Sequence, residues 1–152
     1  MSTTNTIRLA SVRIITHDLL RTVGFYEVLT GAAPNYLTED FVELVTPSAT
    51  LAVSHARRVP FLADDTPGRA LNDNAIVEFW VDDAEAQFAT LHAAFGKALD
   101  VVQPPTMMTW GNMSVVIRDP NGILVNLYTP MTRDAWQLQH NRTPKLPPPA
   151  SS

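Results

Sequence analysis

Arg13 and Glu78 are charged residues set in strand-like apolar runs, where a charge must be paired or put to use. A cleft Arg grips a carboxylate or phenolate through its planar guanidinium. A cleft Glu holds a cation or takes a proton. Burial that raises its pKa fits it for general-base catalysis. Glu43 stands in a third such run, Phe41 to Val45, and offers the same chemistry. Glu78 and Glu43 are therefore the candidate catalytic residues. The structural alternative is that Arg13 and Glu78 neutralise each other across a pseudo-twofold axis.

The spacing of that pair belongs to a larger repeat. Arg13 and Glu78 differ by 65 positions, as do Asp18 and Asp83, and Gly31 and Gly96. Ser11 to Gly31 reads SVRIITHDLLRTVGFYEVLTG, and Ile76 to Gly96 reads IVEFWVDDAEAQFATLHAAFG. Each copy is an apolar run, an Asp, a helical pattern and a Gly. A fixed internal period implies two modules of one design, with a ligand cleft between them.

Within each copy the elements follow from spacing. Ile7 to Thr16 predicts a strand, and Asp18 a helix N-cap. Leu19, Val23, Tyr26 and Leu29 form one helical face, and Gly31 ends it. Short strands follow at Asn35 to Leu37, Phe41 to Val45 and Thr50 to Ser54. In the second copy Ile76 to Val81 is a strand. Asp83 caps a helix with Ala84, Phe88, Leu91 and Phe95 on one face. Val101-Val102 is a short strand, and Pro104-Pro105 to Trp110 a loop. Met113 to Ile117 and Ile123 to Tyr128 are strands joined by the turn Asp119-Pro120-Asn121-Gly122. The fold class is α+β, two tandem βαβββ modules forming a curved mixed sheet around a cleft. Residues 7–56 are the first module, 57–74 a linker and 75–130 the second module. Residues 131–152 are a terminal helix, Thr132 to His140, and a disordered tail. Val59, Phe61 and Leu62 are expected to pack on a module, and Arg57-Arg58 to be a solvated pair.

Composition narrows the function. The chain has 152 residues, 45% of them hydrophobic, enough for a core. A net charge of −4 argues against nucleic acid. With no Cys there is neither disulfide nor thiolate chemistry, which suits a cytoplasmic protein. No signal peptide or membrane span is expected. The four His do not form a spaced cluster. His55, at a strand end, is the one closest to the cleft rim.

The doubled βαβββ unit, Asp18-Leu19 with Phe25-Tyr26 and Gly31, and the D-P-N-G turn together resemble the vicinal oxygen chelate superfamily over residues 7–130. That group includes glyoxalase I, extradiol dioxygenases, fosfomycin-resistance enzymes and bleomycin-resistance proteins. The resemblance implies metal ligands, mostly His and Glu, at four strand positions, which are Ser11, Ala52, Ile76 and Asn126 here. Ile and Ala carry no donor atom, and Ser and Asn are weak neutral ones. No metal and no other cofactor is therefore expected, which points to the metal-free binding branch. The resemblance also implies a homodimer, since pairing would cover edge strands.

If those four positions face the cleft, strand alternation assigns the rest. Ser11, Arg13 and Ile15 line it, with Val12 and Ile14 under the helix. Phe41 and Glu43, Thr50, Ala52 and Ser54, and Ile76, Glu78 and Trp80 line it too. So do Asn112, Ser114 and Val116, with Leu124, Asn126 and Tyr128. Core positions on these strands are then wholly apolar. The candidate ligand-binding residues are Ser11, Arg13, Phe41, Trp80, Trp110, Asn112, Asn126 and Tyr128. Trp80 fills a gap between modules in the bland reading. Trp110 is a lid or simple loop packing. The expected function is metal-independent binding of an aromatic or other organic small molecule, as in antibiotic sequestration. The alternative is a glyoxalase-like lyase or isomerase, either metal-free with a cleft Glu as base or using unconventional ligands such as His55. A third is an accessory protein with no ligand.

Overall fold

A computed structural model describes residues 11–58 and 72–142. They fall into two compact units, divided between Arg69 and Ala70. The first unit runs β1 (Ser11–Thr16), α1 (Leu19–Thr30), β2 (Asn35–Thr38), β3 (Phe41–Val45) and β4 (Thr50–His55). The second runs β5 (Asn72–Trp80), α2 (Ala84–Phe95), β6 (Asp100–Met107), β7 (Asn112–Arg118) and β8 (Ile123–Pro130), and ends in α3 (Arg133–Arg142). This is the tandem βαβββ design.

Each unit holds one mixed four-stranded sheet, in the order β1-β4-β3-β2 or β5-β8-β7-β6. The first strand of each unit pairs in parallel with the last, and the other pairings are antiparallel. A parallel pair needs a crossover, and the helix after the first strand begins it. Asp18 and Asp83 cap these helices, accepting from the backbone N–H of Arg21 at 3.3 Å and Ala86 at 3.1 Å. Gly31 then turns with φ 69°, a left-handed conformation that costs glycine little.

One face of each sheet packs on its helix. Leu19, Val23, Phe25, Tyr26 and Leu29 of α1 are buried, as are Ile14, Val42, Leu44, Leu51 and Val53 of the sheet. In the second unit Leu91 of α2 is buried, along with Val115, Ile117, Val125 and Leu127. Each fully buried Leu or Val contributes about 1.5–3 kcal/mol. Phe88 and Phe95 are only half-buried.

Several expectations need correction. β6 runs through Pro104 and Pro105, where a loop was expected. It is an edge strand with register shifts between Val101 and Gln103 and between Gln103 and Thr106, and an edge tolerates prolines. β5 begins at Asn72, ahead of Ile76 and inside the expected linker. Val12, assigned to the core, is 40% exposed, because β1 is itself an edge strand. Arg57 and Arg58 are both exposed, as a solvated pair should be, and Arg57 has in addition a partner. It lies in a short 3-10 turn, Ala56–Arg58, and donates from Nε to Asp40 at 3.0 Å in an ion pair. Residues 7–10, Val59, Phe61 and Leu62, and the proline-rich tail lie outside the described residues.

Candidate functional site

The strand registers carry the face assignments. In the first unit Arg13 lies beside Ala52, and Ala52 beside Glu43. The next row is Ile15, Ser54 and Phe41, and Ser11 lies beside Thr50. These are the residues that alternation placed on one face. The Arg13 guanidinium carbon sits 5.8 Å from the centre of the Phe41 ring, within cation–π range. Glu43 is half-buried on the same face.

The second unit builds a concavity. Its rows are Glu78, Asn126 and Val116, then Trp80, Tyr128 and Ser114. α3 packs against β8 beside them. Between lies a cavity of about 230 Å³ lined by Glu78, Trp110, Asn112, Ser114, Asn126, Tyr128, Ala135 and Leu138. Five of the sequence-predicted site residues meet there: Glu78, Trp110, Asn112, Asn126 and Tyr128. Ser114, assigned to the same face by alternation, joins them. Trp80 follows on the same face as Tyr128 but does not line the cavity, and it is 47% exposed.

A side-chain relay runs from buried Ser114 out to solvent-exposed Glu78. The Ser114 hydroxyl donates to Asn126 Oδ1 at 2.5 Å, and Asn126 Nδ2 donates to Glu78 Oε2 at 2.9 Å. The amide is thereby held in one orientation. Tyr128 is buried, and its hydroxyl donates to Gln139 Oε1 of α3 at 2.6 Å.

α3 supplies what the sequence pattern does not reveal. Ala135 and Leu138 line the cavity, and buried Gln139 ties the helix to the sheet. Its anchor is the loop between β6 and β7. Gly111 O accepts from the backbone N–H of Met131 at 2.8 Å and Thr132 at 3.3 Å. Thr132 Oγ1 then caps α3, accepting from Ala135 N at 3.1 Å. Gly111 has φ 97°, and a Cβ built there meets Thr132 Oγ1 at 2.2 Å. A short helix pattern was legible after Met131. Its use as a wall was not, because Gln139 and Ala135 carry no distinctive signal.

The four positions that the vicinal oxygen chelate resemblance marks for metal do not fit one. Ile76 presents an aliphatic side chain and Ala52 a methyl, and neither can coordinate. Asn126 is already engaged with Ser114 and Glu78. Among the described residues no three His, Asp or Glu side chains are grouped to hold a metal ion. His17 and His55 meet edge-on at 6.1 Å between ring centres. His55 Nδ1 accepts from the backbone N–H of Arg57 at 3.1 Å, which occupies one of its two ligating atoms.

The model of the Glyoxalase/Bleomycin resistance protein/Dioxygenase superfamily matches residues 8–127. The chain belongs to that superfamily. No curated protein matches it. Among solved structures, it is similar to a glyoxalase/bleomycin resistance protein/dioxygenase from Nocardioides, with 21% identity and a TM-score of 0.64 over 86% of this chain and 88% of that one. A family enzyme from Burkholderia phytofirmans PsJN gives 18% identity and a TM-score of 0.66 over 80% of this chain and 98% of that one. TioX from Micromonospora sp. ML1 gives 21% identity and a TM-score of 0.62, again over 80% and 98%. At such identities these likenesses bear on the fold. The superfamily hosts several chemistries, so function rests on the site. No helix among the described residues is long and apolar enough to cross a membrane.

Proposed function

We propose that this protein binds an aromatic or other organic small molecule without a metal ion, in the manner of antibiotic sequestration. One observation carries the reading. At the superfamily's carboxylate position stands Asn126, whose amide is spent on Ser114 and Glu78 beside a cavity with two aromatic rings. A neutral, hydrogen-bonded amide is a poor divalent-metal ligand and a good floor for an organic molecule. Trp110 and Tyr128 supply flat apolar surface with polar tips. The cavity is smaller than the usual drug-sized range, which suits a compact ligand or one ring of a larger one. We place this activity in the cytoplasm. A homodimer fits the reading, because β1, β2, β5 and β6 each lie at an edge of their own sheet. Sedimentation would show it as a doubled mass.

The test is a screen of aromatic compounds by tryptophan fluorescence, run in parallel with and without a chelator. All three tryptophans, Trp80, Trp110 and Trp136, lie in the second unit, so emission reports on that face. Saturable binding that survives chelation is expected. Binding that vanishes with chelator and returns with a divalent ion would contradict the proposal.

A further inference from the structure

We infer that the ligand of the second-unit cavity is a small aromatic or arylalkyl amine, held as its cation by Glu78. This rests on the reading above of that cavity as an organic-ligand site. The charge of the lining decides the class. Glu78 is the one ionisable carboxylate on it, and no Lys, Arg or His lines it among the described residues. Glu78 is solvent-exposed at the rim, so water hydrates it beside a neutral ligand. An anionic ligand would meet a like charge there with no cation to offset it, whereas a cation meets an opposite one.

Hydrogen bonding points the same way. The relay runs from Ser114 through Asn126 to Glu78 Oε2, so the protein's donors are aimed at the carboxylate. Glu78 Oε1 takes no hydrogen bond among the described residues, and an ammonium group can donate to it. A charge-assisted bond of that kind is about twice as strong as a neutral one. The rings of Trp110 and Tyr128 line the same cavity, and aromatic faces attract cations as well as aryl groups. Asn112 adds an amide that has no hydrogen-bond partner among the described residues and can take a second polar group. The volume of about 230 Å³ limits the ligand to roughly one ring and a short arm.

The test compares three molecules of one size: 2-phenylethylamine, phenylacetate and 2-phenylethanol. Calorimetric titration of the full chain at neutral pH and low salt should give the amine at least tenfold tighter than either other. Its affinity should fall as salt rises. Glu78→Gln should weaken the amine about tenfold or more and the alcohol severalfold less than the amine. This variant keeps an acceptor for Asn126, and an unaltered melting temperature would show that the fold stands. Equal affinities, tighter phenylacetate, or an amine indifferent to Glu78→Gln would overturn the cation assignment while leaving organic binding intact. The cation assignment also fails, alone, if none of the three binds but neutral aromatics from the chelator-insensitive screen do. If nothing in that screen binds either, the assignment and the underlying reading fall together.

Discussion

Gly111→Ala should release α3 from the second unit. The new Cβ would lie 2.2 Å from Thr132 Oγ1, 3.0 Å from the Ala135 Cβ and 3.1 Å from Thr132 Cγ2. Thr132 cannot easily give way, since its hydroxyl caps α3 and its carbonyl accepts from Trp136 N at 2.9 Å. Overpacking of this kind costs about 1–3 kcal/mol. Holding a non-glycine residue at φ 97° adds roughly 1–3 kcal/mol. Against this, α3 is held by buried Ala135, the Tyr128–Gln139 hydrogen bond and its cap. The hydrogen bond and the cap contribute about 1 kcal/mol each. The overpacking matches these contacts in size, and a shift of the turn that relieves the φ strain also withdraws the Gly111 carbonyl from the N–H groups of Met131 and Thr132, so α3 loosens. A ten-residue helix without a docking surface then frays in water.

Hydrogen exchange followed by mass spectrometry would read this directly. Peptides spanning 133–142 should lose protection in Gly111→Ala, while β7 and β8 keep theirs. The stacked pair Trp136 and His140, 5.0 Å apart, should also separate and change the tryptophan emission. Gly24→Ala is the control. Nothing lies within 4 Å of a Cβ there, and in mid-helix the change should stabilise by about 0.5–1 kcal/mol. Full protection of α3 in Gly111→Ala, with unchanged stability, would refute the anchoring role.

Other perturbations follow from the same packing. Asp119 is buried, and its Oδ1 accepts from the backbone N–H of Asn121 at 2.8 Å and Ile123 at 2.9 Å. Asp119→Ala should cost about 1–3 kcal/mol in urea unfolding, and a change under about 0.5 kcal/mol would dismiss its role in the turn. The Arg57 guanidinium holds the Asp40 carboxyl below its ordinary value of 3.8, chiefly by hydrogen bonding. A depressed carboxyl pKa stabilises the fold above the unfolded value and loses that effect as pH falls through the folded one. Arg57→Ala should thus raise the Asp40 pKa in an NMR titration and flatten the acid limb of stability below about pH 4. An unmoved Asp40 titration would count against the pair. Tyr128→Phe removes the hydroxyl that donates to Gln139 Oε1, and should lower stability by about 1 kcal/mol and quicken exchange in α3 ahead of the sheet.

Much of this fold was legible because the residues that specify it are periodic. Asp18 and Asp83 announce two helices, and the alternation in Phe41 to Val45 and Ile123 to Tyr128 fixes which face meets them. The 65-residue repeat doubles every such signal. Arg13, Glu43 and Glu78 were placed on the open face because burial under a helix would leave a charge unpaired, and the strand registers agree. The path of β6 was not legible, since Pro104-Pro105 reads as a break and edge pairing overrides it. Val12 alternates as a core residue, yet an edge strand leaves it uncovered. The wall made by α3 was hidden for another reason. It depends on a close approach at Gly111 and on the hydrogen bond between Tyr128 and Gln139, and neither leaves a period in the sequence.

Metal independence is tested most directly by the metal content of protein purified without chelator, paired with thermal melts across a series of divalent ions. A ligand that binds only the folded state must raise the melting temperature. Ser11, Ala52, Ile76 and Asn126 predict substoichiometric metal and no shift with any ion. Stoichiometric metal with a clear, saturable rise would contradict that, and would move this chain to the metal-dependent chemistry of its superfamily.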